Sequence, residues 1–287
     1  MTVVTRNLIK PRQSLEYIQV IFINQLEDIK MKKMIFIFMV GLVLFFNNST
    51  QAEPKNSCNR YFQYGNPAKK AKDVEIQCYE EFARFYDPTR RNSILTIQFL
   101  EKTDDKNFMK WIIGGNSKIK KPYKTETIDY RGSGFIEAFL TSPEHMIDKG
   151  SLIESLRLTN TAPQTEAVNR IWRVIEKNTQ NLLQVHKKLV AFTGVTYKNR
   201  EGFSYSFGKN GIEIPTHFYL ILFDPNTNGA IAYMIPNEHT LSKKEMNPEK
   251  YLTTIDIIER ETKLDFLSGL HDRTENQTES MIPKETW

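Results

Sequence analysis

Cysteine and histidine are scarce in this chain of 287 residues, which holds two cysteines and five histidines. The histidines are scattered, and no group of cysteines and histidines has the spacing of a zinc finger or a zinc ribbon. Signatures of RNA-recognition and helix-turn-helix domains are also missing. The chain has no internal repeat and no low-complexity linker. These absences exclude a small zinc-binding module and favour one domain over several.

Long hydrophobic runs are missing as well. A bilayer span needs about 20 apolar residues, and the longest apolar run here covers only residues 34–46. It follows a basic pair and precedes a polar stretch that ends at Ala52. This order is typical of a secretory signal peptide, which we predict over residues 31–52. A single membrane anchor is the alternative, which the length of the run disfavours. We therefore expect an exported protein, periplasmic or secreted, with no stable membrane association after signal cleavage.

The predicted signal peptide divides the chain into further parts. Residues 1–30 precede a second start at Met31, and we interpret them as an upstream mis-start or a disordered leader. Cleavage after the signal peptide leaves about 235 residues, enough for one domain with a sizeable core. We predict that domain over residues 53–271. Residues 272–287 are charged and lack apolar clusters, so we predict a disordered tail there.

Both cysteines, Cys58 and Cys78, lie in the mature part of the chain. In an exported protein, two cysteines about 20 residues apart are candidates for a disulfide. Closing a loop of that size stabilises the folded state by about 3 kcal/mol. Two reduced and buried thiols are the alternative.

The hydrophobic pattern predicts a single mixed α+β domain. Four segments rich in β-branched and aromatic residues are typical of strands, namely 94–100, 189–193, 217–223 and 230–234. Turn signals separate them at Gly194, 210–211 and 224–229. Apolar residues at helical spacing predict one helix over 167–185 and a shorter one over 252–262. We expect a central, mostly antiparallel sheet flanked by helices.

The charge balance is mildly basic, with a formal net charge of +5. Clustered lysines bind phosphate groups without sequence preference. One such cluster, a candidate for weak phosphate binding, consists of Lys118, Lys120, Lys121 and Lys124. Ordinary solvated surface charge is the alternative, because the basic excess is modest.

The most informative segment covers residues 158–176. A short β-like piece leads through the Pro163–Gln164 turn into a helix that carries Asn169, Trp172 and Glu176. Asn169 and Glu176 are seven residues apart, about two helical turns, so both side chains can share one face. An amide oxygen and a carboxylate are ligands that suit Mg²⁺. The alternative is that Asn169 simply begins the helix and Glu176 is solvated.

This segment resembles the helix-start motif of the DNA/RNA non-specific endonuclease family, the ββα-metal nucleases. In that family an Asn-x-x-Pro-Gln turn leads to a metal-binding Asn, and then to a Trp and a Glu on one helix. The corresponding residues here are Asn160, Pro163, Gln164, Asn169, Trp172 and Glu176. Segments that resemble other parts of the family lie in the right order along the chain, at 62–67, 78–79, 85–87, 214–219, 230–237, 251–259 and 264–270. The resemblance covers roughly residues 58–271.

The resemblance implies a fold with a ββα-metal-type site. It also implies a reaction. The reaction is the hydrolysis of phosphodiesters in DNA and RNA, without sequence specificity, with Mg²⁺ or Mn²⁺ as cofactor. Asn169 would hold the metal ion, Glu176 would orient its waters, and Arg131 would stabilise charge on the phosphate. Residues that would shape the site are Gly132, Asn160, Gln164 and Trp172.

Three departures from the family pattern surround this site. The best counterpart of the family's Asp-Arg-Gly-His signature is residues 130–133, where Ser133 replaces the histidine that acts as general base. A serine hydroxyl does not titrate near neutral pH. The spacing from Asn169 to Trp172 is one residue short, which rotates Glu176 by about 100° relative to Asn169. Gln180 replaces a basic residue. We therefore predict impaired hydrolysis.

Two other residues are candidates for a general base that replaces the histidine. Glu137 and His145 follow Ser133 in the chain, and His145 lies in an apparent insertion before Asn160. Nothing in the sequence brings either within hydrogen-bonding reach of a water at the site, so a role away from the site is favoured for both. The alternative to a slow nuclease is an inactive pseudo-nuclease, a binding module for nucleic acid or for a protein partner.

Overall fold

The structure is a computed structural model that describes residues 58–71, 73–102, 127–197 and 205–282. The predicted leader and signal peptide lie outside the described residues, as do the four lysines of the predicted phosphate-binding cluster. Within the described ranges, no helix has the length and apolar character needed to cross a membrane.

Eleven strands are present in the described part of the chain. They are β1 (Glu75–Cys78), β2 (Phe82–Asp87), β3 (Asn92–Glu101), β4 (Phe135–Phe139), β5 (Thr161–Thr165), β6 (Lys188–Thr196), β7 (Ser206–Phe207), β8 (Ile212–Glu213), β9 (His217–Asp224), β10 (Gly229–Pro236) and β11 (Leu252–Thr253). Seven of them form one antiparallel sheet in the order β1-β2-β3-β6-β9-β10-β11. The strands β4 and β5 form a separate two-stranded ribbon, and β7 pairs with β8.

Five α-helices accompany the strands in the same ranges. They are α1 (Thr127–Tyr130), α2 (Lys149–Ser155), α3 (Glu166–His186), α4 (Ile255–Thr262) and α5 (Asp272–Glu279). Short 3₁₀ turns lie between them, among others at Pro143–His145 and Leu158–Asn160. The predicted fold class, a mixed α+β domain with a large antiparallel sheet flanked by helices, is confirmed.

The sheet is covered on both faces, which explains the unbroken apolar runs of its central strands. Along β9, Phe218, Leu220 and Leu222 belong to the core cluster that contains α3. The alternate residues Tyr219, Ile221 and Phe223 belong to the cluster on the opposite face, with Ile255 and Ile258 of α4. Successive side chains of a strand point to opposite faces, so one continuous run serves both cores.

Helix α3 is amphipathic and packs on one face of the sheet. Its buried residues recur at spacings of three and four, and they include Val168, Ile171, Trp172 and Ile175. Such spacing places them on one helix face. The predicted helix over 167–185 therefore corresponds closely to α3.

The predicted disulfide is confirmed. Cys58 and Cys78 are bonded, with their Cα atoms 5.3 Å apart. Cys58 begins a 3₁₀ turn that precedes the sheet, and Cys78 is the last residue of β1. The bond therefore attaches the start of the described chain to the edge strand.

Two elements differ from the prediction. Gly194 was predicted as a turn, but β6 continues through it to Thr196. A Cβ atom at this position would overlap the Ile94 carbonyl oxygen and the Tyr219 hydroxyl, so the glycine serves a close approach inside the sheet. Residues 272–287 were predicted as a disordered tail, whereas α5 occupies Asp272–Glu279. The tail prediction relied on missing apolar residues, and the contacts of α5 are polar.

Candidate functional site

The candidate site is built on the β4–β5 ribbon and on α3, which follows β5 directly. Thr165 ends β5 and caps α3, because its Oγ1 accepts a hydrogen bond from the Val168 N–H at 3.3 Å. Asn237, which follows β10, holds the same junction between β5 and α3. Its Oδ1 accepts a bond from the Thr165 N–H and its Nδ2 donates to the Pro163 carbonyl, both at 3.0 Å. Two strands and a helix thus form the expected ββα unit, with the start of α3 held rigidly.

A cavity of about 300 Å³ opens between this ribbon, α3 and the insertion after β4. Four residues predicted for the site line it together: Gln164, Asn169, Trp172 and Glu176. The other lining residues come from β4, from the insertion and from α3, and they are Glu137, Ala138, Phe139, Ser142, Pro143, Glu144, Leu156 and Arg173.

Gln164 and Asn169 form an amide pair in this cavity. The Asn169 Nδ2 donates to the Gln164 Oε1 at 3.0 Å, so the Asn169 Oδ1 remains as an acceptor or a cation ligand. Gln164 is fully buried, and its Nε2 has no hydrogen-bond partner among the described residues. A buried donor without a protein partner is available to an oxygen atom of a water or of a ligand.

Glu176 contributes a carboxylate to the wall of the cavity that α3 forms. Burial, together with the nearby Glu144 carboxylate, raises the pKa of Glu176 to about 7, against the opposing effect of Arg173. Glu144 also accepts a hydrogen bond from the Gln180 amide at 3.3 Å. An amide oxygen and two carboxylates are the hard oxygen donors that Mg²⁺ and Mn²⁺ prefer, and a cation would offset the cost of burying Glu176. The residues present therefore fit a divalent cation.

Trp172 and Asn160 support the site from behind. Trp172 is 6% exposed and packs edge-on against Phe218, with ring centroids 5.9 Å apart, which anchors α3 on the sheet. Asn160 is fully buried and its Nδ2 donates to the carbonyls of Thr141 (3.0 Å) and Ser155 (2.7 Å). These bonds connect Asn160 to the two ends of the inserted segment. Asn160 therefore shapes the loop that forms one wall of the cavity.

Arg131, Gly132 and Ser133 are not among the residues that line this cavity. They form the turn between α1 and β4, in which Gly132 has a φ of +73° and Arg131 is exposed. The Ser133 Oγ donates to the Tyr130 carbonyl at 2.8 Å and accepts from the Phe135 N–H at 3.1 Å. Ser133 therefore holds a turn, and the structure does not bring the expected Arg-Gly-Ser segment together with Asn169.

The register of the ribbon shows which β4 side chains share a face with Gln164. Ile136 stands directly opposite Gln164, and Ala138 stands opposite Ala162. Glu137 pairs with Pro163, so its side chain points to the other face of the ribbon, although the residue borders the cavity. The face towards Gln164 and Asn169 thus carries two apolar side chains.

No histidine replaces the missing base at this cavity. All five histidines lie in the described residues, and none lines the cavity. His145, from the insertion, is half-buried, and burial lowers its pKa.

Two charged lining residues are not among those predicted from the sequence. Arg173 follows Asn169 by four residues, so helical spacing alone places both on one side of α3. Glu144 comes from the insertion, where no local pattern predicts which side chain will meet α3. The position of Ile136 opposite Gln164 was not predictable for a similar reason, because it depends on the strand register.

Comparisons with known proteins agree with this geometry. A family model described as DNA/RNA non-specific endonuclease matches residues 59–273. Human mitochondrial endonuclease G is 25% identical over 223 residues, which cover 72% of this chain and 73% of that protein. Nuclease C1 of Cunninghamella echinulata var. echinulata is 23% identical over 160 residues, or 52% of this chain and 63% of that protein. The crystal structure of the EndoG/EndoGI complex shares the fold, with a TM-score of 0.60 and 20% identity over 77% of this chain and 95% of that chain.

Proposed function

Because the chain belongs to the DNA/RNA non-specific endonuclease family, we propose that it hydrolyses phosphodiesters of DNA and RNA slowly, with Mg²⁺ or Mn²⁺, at the cavity between the β4–β5 ribbon and α3. One observation carries this proposal. The Asn169 amide and the Glu176 carboxylate line the same cavity as the buried Gln164 amide, whose Nε2 has no partner among the described residues.

Four of the lining residues have a role in this scheme. Asn169 would hold the cation through its Oδ1, and Glu176 would orient the waters around it. A divalent cation, when bound, would stabilise the negative charge that builds up on the phosphate. The Gln164 Nε2 is a donor for a phosphate oxygen. Arg173 is the guanidinium that lines the cavity, so we assign to it the phosphate contact expected for Arg131.

The slow reaction follows from the lack of the family's histidine base. No histidine lines the cavity, and β4 turns Ile136 and Ala138 towards Gln164. General-base catalysis contributes about 10² to 10⁴ in rate. The cation and the preorganised donors can still support residual cleavage.

The test compares the wild type with Asn169→Ala in the digestion of plasmid and RNA with Mg²⁺ or Mn²⁺, and in Mn²⁺ binding by electron paramagnetic resonance. We expect Asn169→Ala to lose at least about tenfold in Mn²⁺ affinity, the lower end of effects at metal sites, together with cleavage. Asn178→Ala is the matched control, since Asn178 lies on the same helix and does not line the cavity. Equal Mn²⁺ binding by wild type and Asn169→Ala would refute the metal assignment.

The second candidate is a pseudo-nuclease that binds nucleic acid or a protein without cutting. The apolar face of β4 favours it, since neither Ile136 nor Ala138 can accept a proton. The EndoG of the similar crystal structure is bound to its inhibitor EndoGI, and we extend the idea of a protein partner to this chain. Wild-type protein that binds Mn²⁺ and DNA but leaves every substrate intact would favour this candidate.

Export is part of the proposal. The Cys58–Cys78 bond supports it, because disulfides persist mainly in oxidising compartments. The intact mass of the native protein should correspond to a chain that begins at Glu53. A native chain that retains the first 52 residues would contradict signal cleavage.

A further inference from the structure

Three carboxylates meet where α4 packs against α5, far along the chain from the nuclease site. An oxygen atom of each of Asp256, Glu259 and Glu279 lies within 4.8 Å of the others. Glu279 is only 5% exposed, and its Oε1 has no hydrogen-bond partner among the described residues. The Glu259 Oε1 accepts the Phe266 N–H at 2.7 Å, which fixes that side chain. A buried carboxylate with one unpartnered oxygen therefore lies close to two other carboxylates.

The three carboxylates of this group carry charge of the same sign. Within the described ranges, no lysine or arginine forms an ion pair with any of the three carboxylates, and the Arg260 guanidinium lies 3.8 Å from Glu261 instead. Burial, together with the nearby carboxylates of Glu259, Glu275 and Asp256, raises the pKa of Glu279 to about 8, against the opposing effect of a hydrogen bond from the Leu267 backbone. Like charges in a buried group repel, so the folded state is favoured by any species that neutralises them.

Helix α5 also lacks an apolar anchor. Its sequence, DRTENQTE, contains no apolar side chain, and its only buried residues are Thr278 and Glu279. The Thr278 hydroxyl donates to the Asn228 carbonyl at 2.9 Å. An isolated helix of eight residues is marginal in water, and hydrophobic burial cannot hold this one. The family match ends at residue 273, the second residue of α5.

We propose that Asp256, Glu259 and Glu279 form a binding site for a divalent cation, Ca²⁺ in preference to Mg²⁺, that fastens α5 to α4. Carboxylate oxygens are the ligands of Ca²⁺, which accepts irregular coordination, whereas Mg²⁺ requires a near-ideal octahedron and gives up its waters reluctantly. Calcium sites of extracellular modules have dissociation constants on the order of 10⁻⁴ to 10⁻³ M, a range that suits an exported protein. The site is independent of the nuclease cavity.

The experiment titrates Ca²⁺ and, separately, Mg²⁺ into the mature, disulfide-bonded protein after removal of metals with a chelator. Calorimetry gives the affinity, and thermal unfolding gives the change in melting temperature. All measurements are repeated in the Asn169→Ala background, so that cation binding at the nuclease cavity does not contribute. The variants are Glu279→Gln and Asp256→Asn. The matched control is Asp272→Asn, an exposed carboxylate on α5 outside the group.

We expect one Ca²⁺ per chain, tighter than Mg²⁺, and a higher melting temperature at millimolar Ca²⁺. Glu279→Gln and Asp256→Asn should each weaken Ca²⁺ binding at least tenfold, while Asp272→Asn changes it less than twofold. Limited proteolysis should release α5 faster in the chelator than in Ca²⁺.

Two results would overturn the proposal. One is Ca²⁺ binding that is equal in wild type and Glu279→Gln. The other is a wild type that does not respond to Ca²⁺ while Glu279→Gln raises the melting temperature, because the carboxylates would then be neutralised by shared protons. Neither result bears on the nuclease proposal, which depends on Asn169.

Discussion

Ile136 faces Gln164 across the β4–β5 ribbon and is 36% exposed. An aliphatic side chain cannot take a proton from water, whereas imidazole titrates near neutral pH. Asn169 and Glu176, the residues proposed to hold the cation and to orient its waters, lie on α3, a different element. At the scale of single residues, the capacity to hold a cation and the capacity to activate water are therefore separate, and a substitution can restore the second without touching the first.

Ile136→His is the substitution that tests this separation. It places an imidazole on the ribbon face that carries Gln164, so we expect DNA cleavage to rise by about 10² or more, the lower end of general-base contributions. Cleavage rates at saturating Mg²⁺ or Mn²⁺, with Mn²⁺ affinity as a check on the metal site, measure the effect.

Ser133→His is the matched control for Ile136→His. It adds the same imidazole to the turn before β4, outside the strand pairing that sets Ile136 opposite Gln164, so it should leave the rate near that of the wild type. A gain in Ser133→His together with no gain in Ile136→His would contradict the position derived from the register.

At the scale of elements, the end of α3 is tied to the turn between β9 and β10. The Asp224 carboxylate accepts hydrogen bonds from the Asn226 N–H at 2.8 Å and from the Thr227 hydroxyl at 3.1 Å, and it lies 2.9 Å from the His186 Nδ1. Burial alone would raise the pKa of Asp224, but these hydrogen bonds outweigh it and lower the pKa below its usual value.

The lowered pKa of Asp224 predicts a pH dependence of stability. An acid whose pKa is lower in the folded state stabilises the fold above its unfolded pKa, about 3.9, and this contribution is lost as the pH falls through the folded value. Asp224→Asn should cost about 1 to 3 kcal/mol of unfolding free energy at pH 7, and the cost should shrink below pH 4. Urea unfolding at pH 7 and pH 3 measures both values.

Asn226→Ala serves as the control for Asp224→Asn, because it keeps the carboxylate and the backbone N–H that bonds to it. Its cost should not depend on pH. An Asp224→Asn cost that is equal at pH 7 and pH 3 would show that the carboxylate charge does not contribute.

Element types were predictable wherever the local pattern and the burial agree. The strands β3, β6, β9 and β10 and the helix α3 all follow from apolar periodicity. The strand position of Gly194 is not predictable, because a glycine inside a strand and a glycine in a turn look alike in sequence, and only the approach of Tyr219 distinguishes them. Helix α5 escaped because its contacts are polar and lie far away in the chain.

At the scale of the whole molecule, one covalent link joins the first described residues to the edge of the sheet. Cys58 and Cys78 close a loop whose ends are 20 residues apart in sequence. We expect reduction, or the double variant Cys58→Ser/Cys78→Ser, to lower the free energy of unfolding by about 3 kcal/mol. Urea unfolding with and without dithiothreitol measures the change.

The double cysteine variant also provides the control for reduction, since dithiothreitol should not alter its unfolding. A thiol assay on unreduced native protein should find no free thiol, because the chain has only these two cysteines. A wild type that unfolds at the same urea concentration after reduction would contradict a stabilising role for the bond.

The amino-acid sequence determined the family, the mixed α+β class, the disulfide pair, and the presence of Asn169 and Glu176 on one helix. These features depend on order and spacing along the chain, which a sequence states directly. Tertiary structure decided which side chains share the cavity. It placed Ser133 in a turn, turned Ile136 towards Gln164, and brought Glu144 to Glu176. Strand register and the packing of an insertion fix such neighbours, and both arise from contacts between segments far apart in the chain.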